Sequence, residues 1–151
     1  MTTTATEPKN IFLADDDADD CIMFNDALKE LEFKTYLTIT KNGVELLSTL
    51  EETVPPPPYV IFLDLNMPRK NGFESLKEIR KTGKLKDIPV VIFSTSSSNE
   101  IIDKTFHLGA NYFICKPPSF FLLAKSIEKV LNLNTEQLQQ QPERKQFVLT
   151  A

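Results

Sequence analysis

The residues of this chain best suited to phosphate and metal chemistry are Asp15, Asp16, Asp64, Ser94 and Lys116. Each follows a short apolar run: Asp15 and Asp16 follow "IFLA", Asp64 follows "YVIFL", Ser94 follows "IPVVIF" and Lys116 follows "YFIC". A carboxylate that closes an apolar run is costly to desolvate without a partner. Carboxylates held together repel, and a cation is the natural remedy. With oxygen ligands alone, and no histidine or cysteine at hand, the expected ion is a hard divalent one such as Mg²⁺. A lysine and a hydroxyl in the same crevice suit a tetrahedral anion, the one by charge and the other by hydrogen bond. The chemistry expected of this set is phosphoryl transfer. Asp64 is the nucleophile, the acidic pair holds the ion, and Lys116 and Ser94 bind the phosphoryl oxygens. Singly, each residue has a plainer reading. Asp64 reads as a loop acid, Ser94 as a turn former in "STSSSN", and Lys116 as one of 17 basic side chains. Asp17, Asp19 and Asp20 read mainly as N-cap and first-turn acids of a helix. Together, each at the end of its own strand, they are specific.

Convergence requires a scaffold, and the apolar pattern describes one. Strand-like runs at 11–14, 36–40, 59–63, 88–93 and 112–115 alternate with helical stripes. The stripes are Cys21, Phe24, Leu28 and Leu31, then Val44, Leu47 and Leu50, then Phe73, Leu76 and Ile79, then Ile102 and Phe106, and last Phe120, Leu123, Ile127, Val130 and Leu131. Asn42-Gly43 is turn chemistry, Gly109 fits a helix end that needs positive φ, and Pro55 to Pro58 end the second helix. The proline run fits a stiff connector; the sharper reading is a polyproline ligand. Five strands alternating with five helices predict a parallel sheet covered on both faces. Its functional crevice lies beyond the carboxyl ends of the strands. From Asn132 onward the pattern dissolves, although Phe147, Val148 and Leu149 stand near the end. A floppy tail, or docking on a partner or on a second copy of the chain, are the alternatives.

Composition bounds the function classes. A chain of 151 residues with 41% apolar and 25% charged residues holds one ordinary domain. Its net charge of −4 gives no footprint for nucleic acid or anionic membrane. No apolar stretch nears the roughly 20 residues of a membrane-spanning helix. "MTTTATEPKN" lacks the plan of a signal peptide, and Cys21 and Cys115 are too few for a disulfide framework. A reduced, cytoplasmic setting is expected, with both thiols packed as small hydrophobes.

The motifs "FLADDD", "FLDLNMPRKNGFE", "VVIFSTS" and "YFICKP" resemble the receiver domain of two-component response regulators, of the stand-alone CheY-like kind. The resemblance covers Asn10 to Leu131 and implies a flavodoxin-like (βα)5 fold with strand order 2-1-3-4-5. Residues 1–9 are then a disordered lead, 10–131 the receiver domain, and 132–151 a polar tail without an output domain. The resemblance implies that Asp64 is the phosphoacceptor. It also implies that Asp15 and Asp16 organise Mg²⁺ (or Mn²⁺), Asp16 more directly and Asp15 partly through water. Asn66 would ligate the ion by its backbone carbonyl. Ser94 and Lys116 would reach the phosphoryl group, Phe113 would be the aromatic switch, and Asn66 and Thr95 would tune the lifetime. Lys116-Pro117 would be a cis peptide, of the only kind that is intrinsically plausible. Pro118 departs from the usual pattern after it. Gly72 would be the turn glycine behind the acceptor. Partners would be a sensor histidine kinase or phosphotransfer protein, a downstream protein, and a second copy of the chain as a candidate. The readout would be the surface of the fourth helix, fifth strand and fifth helix.

Other classes fit less well. A phosphatase of the haloacid dehalogenase kind needs an acid/base aspartate where Asn66 stands. A nucleotide-binding turn needs glycines where "ADDDADD" would repel phosphate. A docking module that no longer uses phosphorylation remains the non-catalytic rival. His107 lies within a helical pattern, away from every strand end, and reads as a surface residue. The chain is expected to be a switch rather than an enzyme.

Overall fold

The computed structural model describes residues 7–150. The strands are β1 (Lys9–Ala14), β2 (Thr35–Thr40), β3 (Val60–Leu63), β4 (Val90–Ser94) and β5 (Tyr112–Cys115). The helices are α1 (Ala18–Lys29), α2 (Gly43–Thr53), α3 (Gly72–Lys81), α4 (Asn99–His107), α5 (Phe120–Leu131) and α6 (Thr135–Gln139). All strand pairs are parallel, in the order β2-β1-β3-β4-β5. β1 begins at Lys9, the last residue of the lead expected to be disordered (1–9); residues 1–6 lie outside the described residues.

Both faces of the sheet are covered, and the central strand shows why its sequence is apolar throughout. Ile61 and Leu63 of β3 face a core with Leu46 and Leu50 of α2, Leu76 and Ile79 of α3 and Ile102 of α4. Val60 and Phe62 face the other core, with Phe24 and Leu28 of α1 and Leu123 and Ile127 of α5. Successive side chains of a strand point to opposite faces, so a strand buried on both sides cannot alternate with polar residues. On the second face, Phe24 meets Phe62 and Phe93 edge-on, with centroids 5.0 and 5.6 Å apart.

Helix ends obey local chemistry. Asp17, Asn42, Asn71, Ser98 and Ser119 each cap a helix by accepting from a backbone N–H two or three residues into it. Gly109 follows α4 at φ +98°, as its helix-end position predicted. The proline run joins α2 to β3 with cis bonds at Val54-Pro55 and Pro55-Pro56.

The tail corrects the expectation of a floppy segment. After α5 the chain forms α6, whose capping box pairs Asn134 with Gln137. Leu138 is fully buried in the core on the α1/α5 face, and Phe147 is fully buried in the opposite core. The intervening residues therefore cross the β5 edge. There Phe113 N donates to Phe147 O (3.0 Å) and Leu149 N donates to Phe113 O (2.9 Å), a short parallel pairing. An edge strand offers unpaired backbone groups, and these residues satisfy them.

Candidate functional site

The sheet's hydrogen-bond ladder runs past the strand ends and sets the site. Asp15 N donates to Thr40 O (3.0 Å), Asp64 N to Ala14 O (2.9 Å) and Lys116 N to Ser94 O (2.9 Å). Each of these candidate residues beyond a strand is thus held by the same kind of bond that holds the strand. Ser94 is the last residue of β4, one position earlier than its sequence reading after the strand. The backbone behind Asp64 turns through Met67, Pro68 and Arg69, which has a positive φ of 66°. Gly72 then brings the start of α3 against Asp64, with Gly72 N donating to Leu65 O at 3.0 Å. A Cβ at position 72 would lie 2.3 Å from the Asp64 carbonyl oxygen, so only glycine permits this approach.

Carboxylate oxygens of Asp15, Asp16 and Asp64 lie within 4.8 Å of one another. Asp15 is fully buried, Asp64 nearly so, and Asp16 exposed. Lys116 Nζ donates to Asp15 Oδ2 (2.8 Å), Asp20 Oδ2 (2.8 Å) and Asp64 Oδ2 (3.2 Å). The remaining oxygens also have partners: Asp15 Oδ1 accepts from Asp17 N and Asp64 Oδ1 from Leu65 N. Burial opposes charge on Lys116, but its bonds to Asp15 and Asp20 and the nearby Asp64 charge outweigh that and hold its pKa above the ordinary lysine value. Burial raises the pKa of Asp15, and the Lys116 hydrogen bond offsets this only in part. One ammonium among Asp15, Asp16, Asp20 and Asp64 leaves the cluster short of positive charge. An all-oxygen, acidic donor set of this kind fits a hard divalent cation.

Most of the site expected from sequence assembles here. Asp15, Asp16 and Asp64 come together, and Lys116 bonds to Asp15 and Asp64 among them. Ser94 sits fully buried at the end of the adjacent strand, with Oγ accepting from Ser96 N at 3.1 Å rather than engaging Lys116 or Asp64. Asn66 and Thr95 are exposed, and Asn66 Nδ2 faces Ser96 Oγ at 3.4 Å. Phe113 lies two residues back from the end of β5, fully buried. His107 is exposed on α4, with Nδ1 2.7 Å from Asp103 O.

Two expectations need correction. The Lys116-Pro117 bond is trans; cis peptides among the described residues fall at Pro55 and Pro56 instead. The trans preference before proline is only about 0.5–1 kcal/mol, so sequence cannot choose the isomer at a given X-Pro bond. Asp20 is more than the first-turn acid it resembled, because it shares the Lys116 ammonium with Asp15 and Asp64. The available signal was helical spacing: Asp20 lies on the first turn of α1, four residues after Asp16. Asp17 does act as the N-cap, with Oδ1 accepting from Asp20 N at 2.9 Å.

This fold recurs in known proteins. The family model described as response regulator receiver domain matches residues 11–128. Response regulator Rcp1 of Synechocystis sp. is 30% identical over 134 residues, which is 86% of this chain and 91% of that protein. Among solved structures, the phosphorylated cyanobacterial phytochrome response regulator RcpA matches with a TM-score of 0.75 at 30% identity, over 82% of this chain and 91% of that one. The Mn²⁺-bound form of Rcp1 matches with a TM-score of 0.73 at 31% identity, over 82% and 91% of the two chains. The chain therefore belongs to the response regulator receiver domain family.

Proposed function

We propose that this receiver domain is a phosphoacceptor switch of a two-component phosphorelay, with Asp64 as the acceptor. The observation that carries the reading is the meeting of Asp15, Asp16 and Asp64 within 4.8 Å, with Lys116 bridging Asp15 and Asp64. The donor is a phosphohistidine on a sensor kinase or phosphotransfer protein. An Asp64 carboxylate oxygen bonds to phosphorus as the phosphorus–nitrogen bond breaks. The electron pair leaves on the imidazole nitrogen, which takes a proton from solvent. Asp15, Asp16, Asp64 and the Asn66 carbonyl would hold Mg²⁺, which would supply positive charge against the carboxylate and the phosphoryl oxygens. Mn²⁺, which the relative Rcp1 binds in one solved form, suits the same donors.

The chain's own residues do the rest. Lys116 already stands 3.2 Å from Asp64 Oδ2, so its ammonium is in place to follow charge onto the phosphoryl oxygens. Ser94 Oγ accepts from Ser96 N, which leaves its proton free to donate to the phosphoryl group. Exposed Asn66 and Thr95 flank the mouth, where they control access of hydrolytic water and so the lifetime of the acyl phosphate. Closure of Ser94 and Lys116 on phosphate, with repacking of Phe113, biases the face of α4, β5 and α5 towards a partner-binding state. The domain turns over no separate substrate; it takes part in its own phosphorylation and slow dephosphorylation. A cytoplasmic setting suits this role, and no helix among the described residues is long and apolar enough to cross a membrane.

Intact mass after incubation with Mg²⁺ and acetyl phosphate tests the proposal beside Asp64→Asn. One added phosphoryl group that requires Mg²⁺ and is lost in the variant is expected. No added mass with any divalent ion would sink the acceptor role and leave a docking module.

A further inference from the structure

The tail ends on the face through which the proposed switch would act. Phe147 packs between Phe106 of α4 and Phe113 of β5, with ring centroids 5.1 and 6.3 Å away. Gln141 Nε2 donates to Phe106 O and Ala110 O, and Arg144 Nε pairs with Asp103 Oδ1 of α4 at 2.7 Å. Lys129 Nζ of α5 donates to Thr150 O. Residues 141–150 thus touch α4, β5 and α5 in turn. Both backbone bonds of the tail to β5 fall on one residue, Phe113. Phe113 lies three residues before Lys116, whose ammonium is shared among Asp15, Asp20 and Asp64.

We propose that residues 141–150 form an intramolecular strap over the α4–β5–α5 face, which loosens when Asp64 is phosphorylated. The inference rests on the phosphoacceptor reading above. Its direction comes from the arrangement that accompanies the docked strap. In that arrangement Ser94 Oγ is engaged on Ser96 N, and Lys116 is held among carboxylates. A phosphoryl group on Asp64 draws Ser94 towards it and competes with Asp15 and Asp20 for the Lys116 ammonium. Lys116 directly follows the four-residue β5, and Ser94 pairs in register with Cys115 on the neighbouring strand. Movement at that end is passed along β5 to Phe113, where both the ladder bonds and the Phe147 contact are made. The remaining ties are an exposed ion pair and side-chain bonds to carbonyls, which hold weakly alone. A strap preferring one state must be disfavoured by whatever stabilises the other, and the coupling is reciprocal.

The test uses the full chain with Mg²⁺, with and without beryllium fluoride as the phosphoryl analogue, bound analogue being followed by fluorine NMR. Amide hydrogen exchange is read at Phe113 and Leu149, the two donors of the strap ladder. Both amides should exchange about 5-fold or more faster with the analogue bound, the low end of ordinary allosteric coupling. Phe147→Ala should exchange fast without the analogue and bind it more tightly by the same factor. Arg144→Ala, at an exposed tie, gives a milder shift in the same direction and covers the case in which Phe147→Ala does not fold. Bound analogue with unchanged or slower exchange overturns the strap. So does protection retained by transfer of the strap to a second copy, seen as a dimer by light scattering. Failure of the analogue to bind at all removes the phosphoacceptor reading, and the strap's regulation with it.

Discussion

Replacing Gly72 by alanine separates local preference from tertiary contact. Gly72 is the first residue of α3, where alanine is intrinsically favoured by up to about 1 kcal/mol. The added Cβ, however, would stand 2.3 Å from Asp64 O and 2.8 Å from Leu65 Cα, whereas ordinary contact begins near 3.4 Å. Both opposing atoms are backbone, so relief requires the start of α3 and the loop that begins at Asp64 to part by about 1 Å, an overpacking cost of about 1–3 kcal/mol. The Gly72 N to Leu65 O bond stretches with them, a further loss of about 1 kcal/mol. The net expectation is a loss of about 2 kcal/mol, or a melting temperature lower by roughly 4–8 °C for a domain of this size. Because the displaced backbone carries Asp64, the rate of phosphoryl uptake from acetyl phosphate should also fall, by about 100-fold for a shift of this size. Thermal melts and a time course of intact mass measure the two effects. Gly83→Ala is the control: no atom lies within 4 Å of its Cβ, so a gain of about 0.4–1 kcal/mol is expected from the stiffer unfolded chain. A Gly72→Ala protein as stable as the parent and phosphorylated at its rate would refute the reasoning.

Further outcomes follow from the buried charges. Burial raises the Asp15 pKa, so the native state binds the extra proton and loses that stability as pH rises through the folded value. In EDTA, Asp15→Asn should therefore be more stable than the parent at neutral pH, and the gap should close on acidification as Asp15 itself protonates. Urea midpoints across pH 4 to 8 check this, and a gap that widens towards acid would contradict it. Arg80 donates to Gly109 O (2.9 Å), Ile88 O (2.8 Å), Lys86 O (3.1 Å) and Asn111 Oδ1 (2.8 Å), tying the end of α4 to the approaches of β4 and β5. Arg80→Met should cost about 3 kcal/mol through the unpaired carbonyls it leaves, read as a lower urea midpoint. A loss below about 1 kcal/mol would show that water replaces the guanidinium at little cost.

Periodicity alone determined the element order, because a strand buried on both faces and a helix with one apolar stripe leave different spacings. "YVIFL" and the stripe of Leu123, Ile127 and Val130 are plain instances. The positions of Asp15, Asp64 and Lys116 were legible as well, since a charge that ends an apolar run has no cheap structural excuse. Tertiary structure alone decided where the lone Lys116 ammonium goes, and so drew Asp20 into the site. Spacing along the chain says nothing of which carboxylate a lysine far along the sequence will reach. The isomer at Lys116-Pro117 was likewise beyond sequence, because the intrinsic preference is smaller than the packing terms around it. The tail is the clearest case. Residues 132–151 carry too few apolar side chains to show a period, yet Leu138 and Phe147 are fully buried. What orders them is a partner that no local pattern encodes: the unpaired edge of β5 and the aromatic socket of Phe106 and Phe113 beside it.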